Sequence, residues 1–577
     1  MILQALYDYY ERKPKIHNPV GYEKEELDFI VLIKKTGTFV DLINMRENNR
    51  GHEYAVPKAV IRTAEAKPNL LWDKLEYIFG ISKEKSSKKT ANAKKYNRTF
   101  VDKLKNLPKT VKVDEGVKAV ISFYKKNQIK KIKKHLLWDE CLKINGWISF
   151  QLENDSRIIP ARKIVQEYQK TEFLSGKTDD DPIEGTCLIT GETGIIARLH
   201  SEMRLRGSDK NVKIVAFQKN SGFDSYGKEQ AYNSPISVLA EAKYSTALKY
   251  LLNSSLNRTF ISDVTIIFWS DKTPQSIDLE EVVSWVVATQ KIDEESPDSK
   301  VQVVKALYNS VLTGRLSQEK DNRFYVLALA PNAARISVRF WRTGTVEEFG
   351  KRIYQHFEDF KIAHGPKEPD HLSLYQILSS TAFQYKMENV PPNLTGKVVE
   401  SILDGTPYPV TLMQQCMRRI RAERQVNRPR AAILKAYINR FNRIHKSKEK
   451  EILMALDLTN TNSGYRIGRL FAVLEKIQEE ASPNINSTIR DRFYGAASSS
   501  PVAVFSQLLK LKNHHLAKLE IGHKIYFEKL IGEVMSELSL FPAHLSLDEQ
   551  AYFSVGYYHQ RQDFFTSKKN KIESEQQ

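Results

Sequence analysis

Apolar and polar positions alternate with a period of two in a few short stretches of the chain, and with a helical period over much of the rest. In ELDFIVLIKKTGTFVDLINMR (26–46), β-branched and aromatic residues flank Lys-Thr-Gly-Thr, which predicts two strands about a turn whose glycine takes positive φ. Residues 186–217 read similarly: TCLIT and GIIARLH surround Gly-Glu-Thr-Gly, and NVKIVAFQ follows. A polar loop, KNSGFDSYGKEQAYNSPIS (219–237), then leads into an expected helix, VLAEAKYSTALKYLL. SDVTIIFWSD (262–271) and the pair FYVLALA and RISVRFW about Pro331-Asn332 predict further strands. In RISVRFW the alternation assigns Ile336, Val338 and Phe340 to the core face, and Arg335, Ser337, Arg339 and Trp341 to the other.

Beyond about residue 345 the strand signal fades. LMQQCMRRIRAERQVNRPRAAILKAYINRFNRIHKSK (412–448) predicts an arginine-rich helical pair interrupted by Pro429. YRIGRLFAVLEKIQEEA (465–481) places Ile467, Leu470, Phe471, Leu474 and Ile477 on one helical face, and further helices are punctuated by GAASSSP (495–501) and Phe541-Pro542. Gly 25 and Pro 21 in 577 residues lie below the usual ~7% and ~5%, consistent with a helix-rich chain. The expected class is α+β: a helix-rich N-terminal region with small mixed or antiparallel sheets, then an all-α C-terminal bundle. The expected divisions are 1–180, 181–400, an arginine-rich helical connection at 401–453, and a small-subunit-like bundle at 454–577.

The chain carries 88 Lys and Arg against 69 Asp and Glu, a formal charge of +19. Such an excess favours polyanionic partners, nucleic acid first and an acidic membrane surface second. From Lys83 to Lys112 there are eleven basic and two acidic residues, and Lys125, Lys126, Lys130, Lys131, Lys133 and Lys134 follow. These runs read either as a solvated surface or as an arm that tracks phosphates. Cys141, Cys187 and Cys416 are far apart with no C-x-x-C pair, which argues against a disulfide framework or cysteine-built zinc site. No apolar run approaches the ~18 residues of a spanning helix, so a cytoplasmic protein is expected.

The motifs tested for catalysis do not favour an enzyme. Gly191-Glu192-Thr193-Gly194 continues with Ile195-Ile196 and lacks the Lys and hydroxyl of a phosphate-binding loop. Asp179-Asp180-Asp181 has no second acidic cluster at a recognisable spacing, and no H-E-x-x-H or G-x-S-x-G appears. No metal or cofactor is expected. The rival class, a metal-dependent nuclease or nucleic-acid-processing enzyme of a defence system, would need clustered carboxylates or His-Asp ligands.

Several motifs, in order, carry a family likeness: MILQALYDYYER at the start, RTAEAKPNLLWDK (62–74), CLITGETGIIARLH (187–200), FDSYGKEQAYNSPIS (223–237), YVLALAPNAARISVRFW (325–341), LDGTPYPVTL (403–412), YRIGRLFAVLEKIQ (465–478) and GYYHQRQDFFT (556–566). The chain resembles the large subunit of type I-C CRISPR Cascade complexes. The resemblance implies a non-catalytic, RNA-guided role in antiviral defence. Such a subunit finds the protospacer-adjacent motif in double-stranded DNA, helps open the duplex into an R-loop and holds the displaced single strand. CRISPR RNA on the backbone and small subunits reads the remaining sequence, and a helicase-nuclease is recruited. It also implies that the terminal bundle can be made as a separate small subunit by internal translation, with Met454 standing where that product would begin.

Within these motifs two loops offer motif-reading chemistry. Arg62 and Lys67 suit phosphates, and the Asn69 amide suits a base edge; alternatively Asn69 serves the turn after Pro68 while Trp72 packs. In the second loop Gly222 and Gly227 allow close backbone approach, Lys219 and Lys228 suit phosphates, Tyr226 suits stacking, and Asn220, Gln230 and Asn233 suit base contacts, with a loop held by its own amides as the alternative. Arg335, Arg339 and Trp341, with a structural ion-pair role as the alternative, together with Arg466, Arg469, Arg490 and Arg492, are the candidates for holding a displaced strand.

Overall fold

The computed structural model describes residues 1–60, 62, 66–84, 86–175, 182–219, 222, 227–261, 263–289 and 297–565. The chain divides into two compact units, Met1–Asn253 with Ala330–Ser337, and Ser254–Leu329 with Val338–Gln577. The fold is α+β, with small sheets in the N-terminal region and helices through the C-terminal one.

The first unit holds β1 (Tyr22–Leu27), β2 (Phe29–Ile33), β3 (Phe39–Asn44), β4 (His52–Pro57), β5 (Trp72–Lys74), β6 (Trp147–Leu152), β7 (Glu184–Thr186) and β8 (Thr193–Ile195). A mixed sheet has the order β3-β2-β6-β5, with β2 parallel to β6 and its other pairs antiparallel. β1 pairs with β4, and β7 with β8, both antiparallel. β2 is central, so its unbroken apolar run FIVLI has two faces to fill. Phe29, Val31 and Ile33 join Phe100, Val120 and Phe123 from the helices Ser87–Lys105 and Glu115–Lys125, while Ile30 joins Leu27, Val56 and Trp72. Burial on both faces is what removes the alternation from such a strand. The predicted turn between β2 and β3 is present, with Gly37 at φ 80. A Cβ there would stand 2.6 Å from the Phe123 backbone nitrogen, so glycine is required on both counts.

NVKIVAFQ does not form the expected strand. It makes only isolated bridges, Val212 to Met203 and Lys213 to Arg335, and Val212 alone of the run is buried. With one side chain in the core, the remaining apolar positions have no covered face to fix a register.

The second unit holds β9 (Arg258–Ile261), which the sequence reading missed, and β10 (Val264–Ser270), β11 (Arg323–Asn332) and β12 (Arg335–Thr345), in the order β12-β11-β10-β9. The hairpin tip, 330–337, is counted with the first unit. The two-faced reading of RISVRFW needs correction. Val338 is 42% exposed on this edge strand, and Trp341 stacks on Tyr325 (5.4 Å, 7°) and lies 5.6 Å from Trp269.

In the helical region Pro429 begins a helix and breaks none. Val410–Glu423 ends with Arg424 in the left-handed region, and Arg428–Ile444 starts from the Asn427 cap with Pro429 in its first turn. Ser463–Ala481 lies against Leu547–Asp563 at backbone contact: a Cβ on Gly468 would stand 2.0 Å from the Phe553 carbonyl oxygen, and one on Gly556 2.1 Å from that of Tyr465. Ile489–Ser499, Pro501–Leu516 and Ile521–Met535 complete the bundle. The expected apolar face of Ser463–Ala481 is buried, but so are Arg466, Arg469, Val473 and Glu475 from its other sides. This helix is enclosed by the bundle, and its polar groups must find partners inside it.

Candidate nucleic-acid interface

The clearest cationic surface of the first unit lies at residues 125–134, where six lysines occur in ten positions without a carboxylate. Ile132 and Phe123 fix the run to the core, and the ring of His135 stands 2.8 Å from Asp41 at its end. Lys126 donates to the Thr36 carbonyl oxygen at 2.8 Å. Lys125, Lys130, Lys131, Lys133 and Lys134 are exposed and, among the described residues, make no ion pair. Unneutralised like charges held side by side raise the local potential that draws in a polyanion.

The described residues of 62–74 are organised around a buried carboxylate. Asp73 Oδ2 accepts from Arg62 Nη2 at 2.5 Å and from the Asn69 backbone N–H at 2.8 Å. Burial pushes the Asp73 carboxyl above its usual range, and the Arg62 guanidinium works against that shift. Arg62 also donates to the Lys67 carbonyl oxygen at 2.9 Å and lies 4.2 Å from the centre of the Tyr77 ring. Asn69 is 1% exposed; its Oδ1 accepts from the Val60 N–H at 3.0 Å. Lys67 is half-buried, and Trp72 is buried with its indole N–H donating to the Pro57 carbonyl oxygen. Asn69 and Arg62 thus hold the segment together from within. The expected presentation of the Asn69 amide to a base edge needs correction, because the side chain is enclosed and its oxygen is engaged; it accepts from Val60, nine residues earlier, and does not serve the turn after Pro68.

In the second loop Lys219 pairs with Glu229 at 2.8 Å, both groups being about half exposed. Gly222 and Gly227 adopt φ 77 and 73, a backbone conformation that favours glycine, and among the described residues a Cβ on either would meet nothing within 4 Å. Lys228 is exposed. Asn233 Nδ2 donates to the carbonyl oxygens of Lys228 (2.9 Å) and Gln230 (3.0 Å), and Gln230, at φ 49, accepts from Arg198 Nη1 at 3.2 Å. Asn220 and Tyr226 lie outside the described residues, as do Asp179, Asp180 and Asp181. Arg335 borders a cavity of about 540 Å³ with Glu202, Lys213 and Asn332. Arg339 is exposed on β12.

The chain matches the family model for the CRISPR-associated protein (Cas_Csd1) over residues 6–565. It belongs to the Csd1 family of CRISPR-associated proteins. No curated protein matches the chain.

In this CRISPR-associated chain the bundle arginines separate into two kinds. Arg466 and Arg469 are 4% and 0% exposed. Arg466 donates to the Asn460 carbonyl oxygen (2.8 Å) and to Glu537 (3.3 Å); Arg469 donates to Gln560 Oε1 (3.1 Å) and to Glu533 (2.9 Å). Arg490 stands 3.8 Å from the fully buried Glu475, which also accepts from Thr488 (2.7 Å) and Tyr557 (2.5 Å). These three tie helices together, and a phosphate would have to displace their carboxylates. Arg492 is exposed and remains available. Glu475 was invisible as a hub in the sequence, because its partners lie up to 86 residues away at Arg561. Met454, 44% exposed, precedes Ser463–Ala481, and its carbonyl oxygen accepts from the Ala363 N–H at 2.8 Å.

Among the described residues no group of three or more His, Cys, Asp or Glu is placed to hold a metal, and no helix is long and apolar enough to cross a membrane.

Proposed function

We propose that this CRISPR-associated protein is the non-catalytic, DNA-binding large subunit of a type I-C effector. It recognises the protospacer-adjacent motif in duplex DNA, promotes strand opening beside it, and holds the displaced strand so that a helicase-nuclease can be recruited. Guide RNA on the backbone and small subunits reads the rest of the target, and the complex acts in the cytoplasm. The observation that carries the reading is the unpaired lysine ridge at 125–134, fixed to a folded core in a family member. Lysine charge of this density suits the backbone contacts that give a DNA-binding subunit its affinity.

Motif reading is assigned to the loop 219–237, where Lys228 is exposed and Gly222 and Gly227 have positive φ; the Arg62–Asp73–Asn69 network ties residue 62 to 67–73. The helices from Met454 onward are proposed to exist also as a separately translated small subunit, which a C-terminally tagged gene would reveal as an extra band lost when the Met454 codon is made non-initiating.

The test is binding of the assembled complex to duplexes with correct and altered adjacent motifs. Gln230→Ala is expected to lose discrimination between them, and Lys219→Ala with Lys228→Ala to weaken both and flatten the salt dependence. If neither variant changes binding, the loop assignment is wrong. Metal-dependent cleavage by the purified chain would instead establish the nuclease reading.

A further inference from the structure

The turn between Ala382 and Asn389 in the second unit holds two aromatic rings at the surface, Phe383 at 57% and Tyr385 at 39% exposure. Gln384 and Tyr385 are both in the left-handed region, at φ 55 and 57, which side chains with a Cβ rarely adopt. Hydrogen bonds over-determine this backbone: Asn389 Nδ2 donates to the Phe383 carbonyl oxygen at 3.0 Å, and the Lys386 N–H to the same oxygen at 3.3 Å. The Tyr385 hydroxyl accepts from Asn427 Nδ2 at 3.0 Å. The backbone that carries both rings is therefore fixed, and the Tyr385 ring is tied at its hydroxyl.

Guanidinium groups lie on both rings. Arg419 is 5.7 Å from the Phe383 centroid, and Arg430, itself buried, is 5.3 Å from that of Tyr385. Arg430 is anchored by the carbonyl oxygens of Ser380 and Gln425 and by Glu423, and Glu423 also stands 3.6 Å from Arg419. Arg418 and Arg424, on the same helix and at its cap, are exposed and make no ion pair among the described residues.

We infer that this turn is a stacking subsite for an unpaired nucleobase of single-stranded DNA, with the exposed Arg418 and Arg424 taking the neighbouring phosphates. A rigid exposed ring beside a cation matches the two chemistries of a single strand, a π face and a phosphate; in a duplex the base faces are already stacked. The inference rests on the DNA-binding reading above and adds to it a place on the second unit.

Anisotropy of the full-length chain with fluorescein-labelled oligothymidine and with a blunt duplex tests it. Phe383→Leu keeps an apolar side chain and removes the ring; it is expected to weaken oligothymidine binding roughly tenfold, the scale of one lost base stack, and to leave the duplex within about twofold. Its salt slope stays that of the wild type, whereas Arg418→Gln with Arg424→Gln lowers the slope as well. A Phe383→Leu protein that melts as the wild type and binds oligothymidine equally well overturns the subsite. Photocrosslinking of 4-thiothymidine strands to the unaltered chain is expected to label the tryptic segment 368–386, and labelling only elsewhere overturns it too. If the wild type binds neither strand form, the DNA-binding reading itself falls; if duplex binding stands while the single-strand arms fail, only the subsite does.

Discussion

Arg469→Met separates a buried structural guanidinium from one that touches DNA. Methionine retains an unbranched stem of similar reach, so the enclosed helix keeps most of its packing. What disappears is the pair of hydrogen bonds to Glu533 and Gln560. Glu533 is 48% exposed, so its carboxylate regains water at little cost. Gln560 is fully buried, and its Nε2 already lacks a partner. Leaving its Oε1 unsatisfied as well costs about 1–3 kcal/mol. At roughly 2 °C per kcal/mol for a unit of this size, the melting temperature of the second unit falls by about 2–6 °C. Scanning calorimetry reads that shift, and anisotropy at several salt concentrations reads the DNA term in parallel. The expected result is a lower melting temperature with an unchanged slope of log K against log salt. A wild-type melting temperature with a slope smaller by about 0.7–0.9 would mean that Arg469 contacts a phosphate and that its buried placement is wrong.

Three other outcomes are expected. Changing Lys130, Lys131, Lys133 and Lys134 together to Gln leaves the melting curve in place and reduces the salt slope for duplex DNA by up to about 3.6, at ~0.9 per phosphate released; an unaltered slope removes the ridge from the interface. Gly468→Ala gains about 1 kcal/mol in helix propensity but loses about 1–3 kcal/mol by forcing the helix off the Phe553 backbone, so the urea midpoint falls, and a raised midpoint refutes the backbone contact. Burial holds His559 at about 3 and His200 at about 4, so between pH 6.5 and those values the unfolded chain binds more protons and stability falls with pH. Going from pH 6.5 to 5 costs about 2 kcal/mol per histidine, and equal urea midpoints at pH 7 and 5 would contradict it.

The parts of the fold legible in the sequence are those set by local chemistry. Gly37 marked its turn through positive φ, and Pro429 marked the boundary between two arginine-rich helices. NVKIVAFQ misled because alternation reports a strand only where one face is covered, and the cover is supplied by distant residues. β9 is too short for a periodic signal. In the candidate site the Lys219–Gln230 loop was legible as polar and glycine-bearing, but the enclosure of Asn69 was not. It depends on Asp73 gathering Arg62 and the Asn69 backbone, and nothing in RTAEAKPNLLWDK tells an exposed aspartate from a buried one. The Phe383–Tyr385 turn was passed over because AFQYK has no period at all.

The corrections among the cations follow one physical rule. An ammonium is a compact, strongly hydrated charge, whereas a guanidinium is planar, less strongly hydrated and able to satisfy several acceptors at once. Accordingly the lysines at 125–134, crowded together without an acid, remain in water, while Arg466 and Arg469, set among the apolar residues of an enclosed helix, are drawn inward to Asn460, Gln560, Glu533 and Glu537. A periodic pattern counts both as positive charge, but only the first kind can release counterions from DNA. The count of 88 Lys and Arg therefore overstates the cations available for binding. Arg424, at the left-handed end of its helix, escapes the inward pull and stays exposed, as does Arg418. The same low hydration lets a guanidinium stack on an exposed ring, which places the expected single-strand contacts at Phe383 with Arg418 and Arg424 and not along the bundle's central helix.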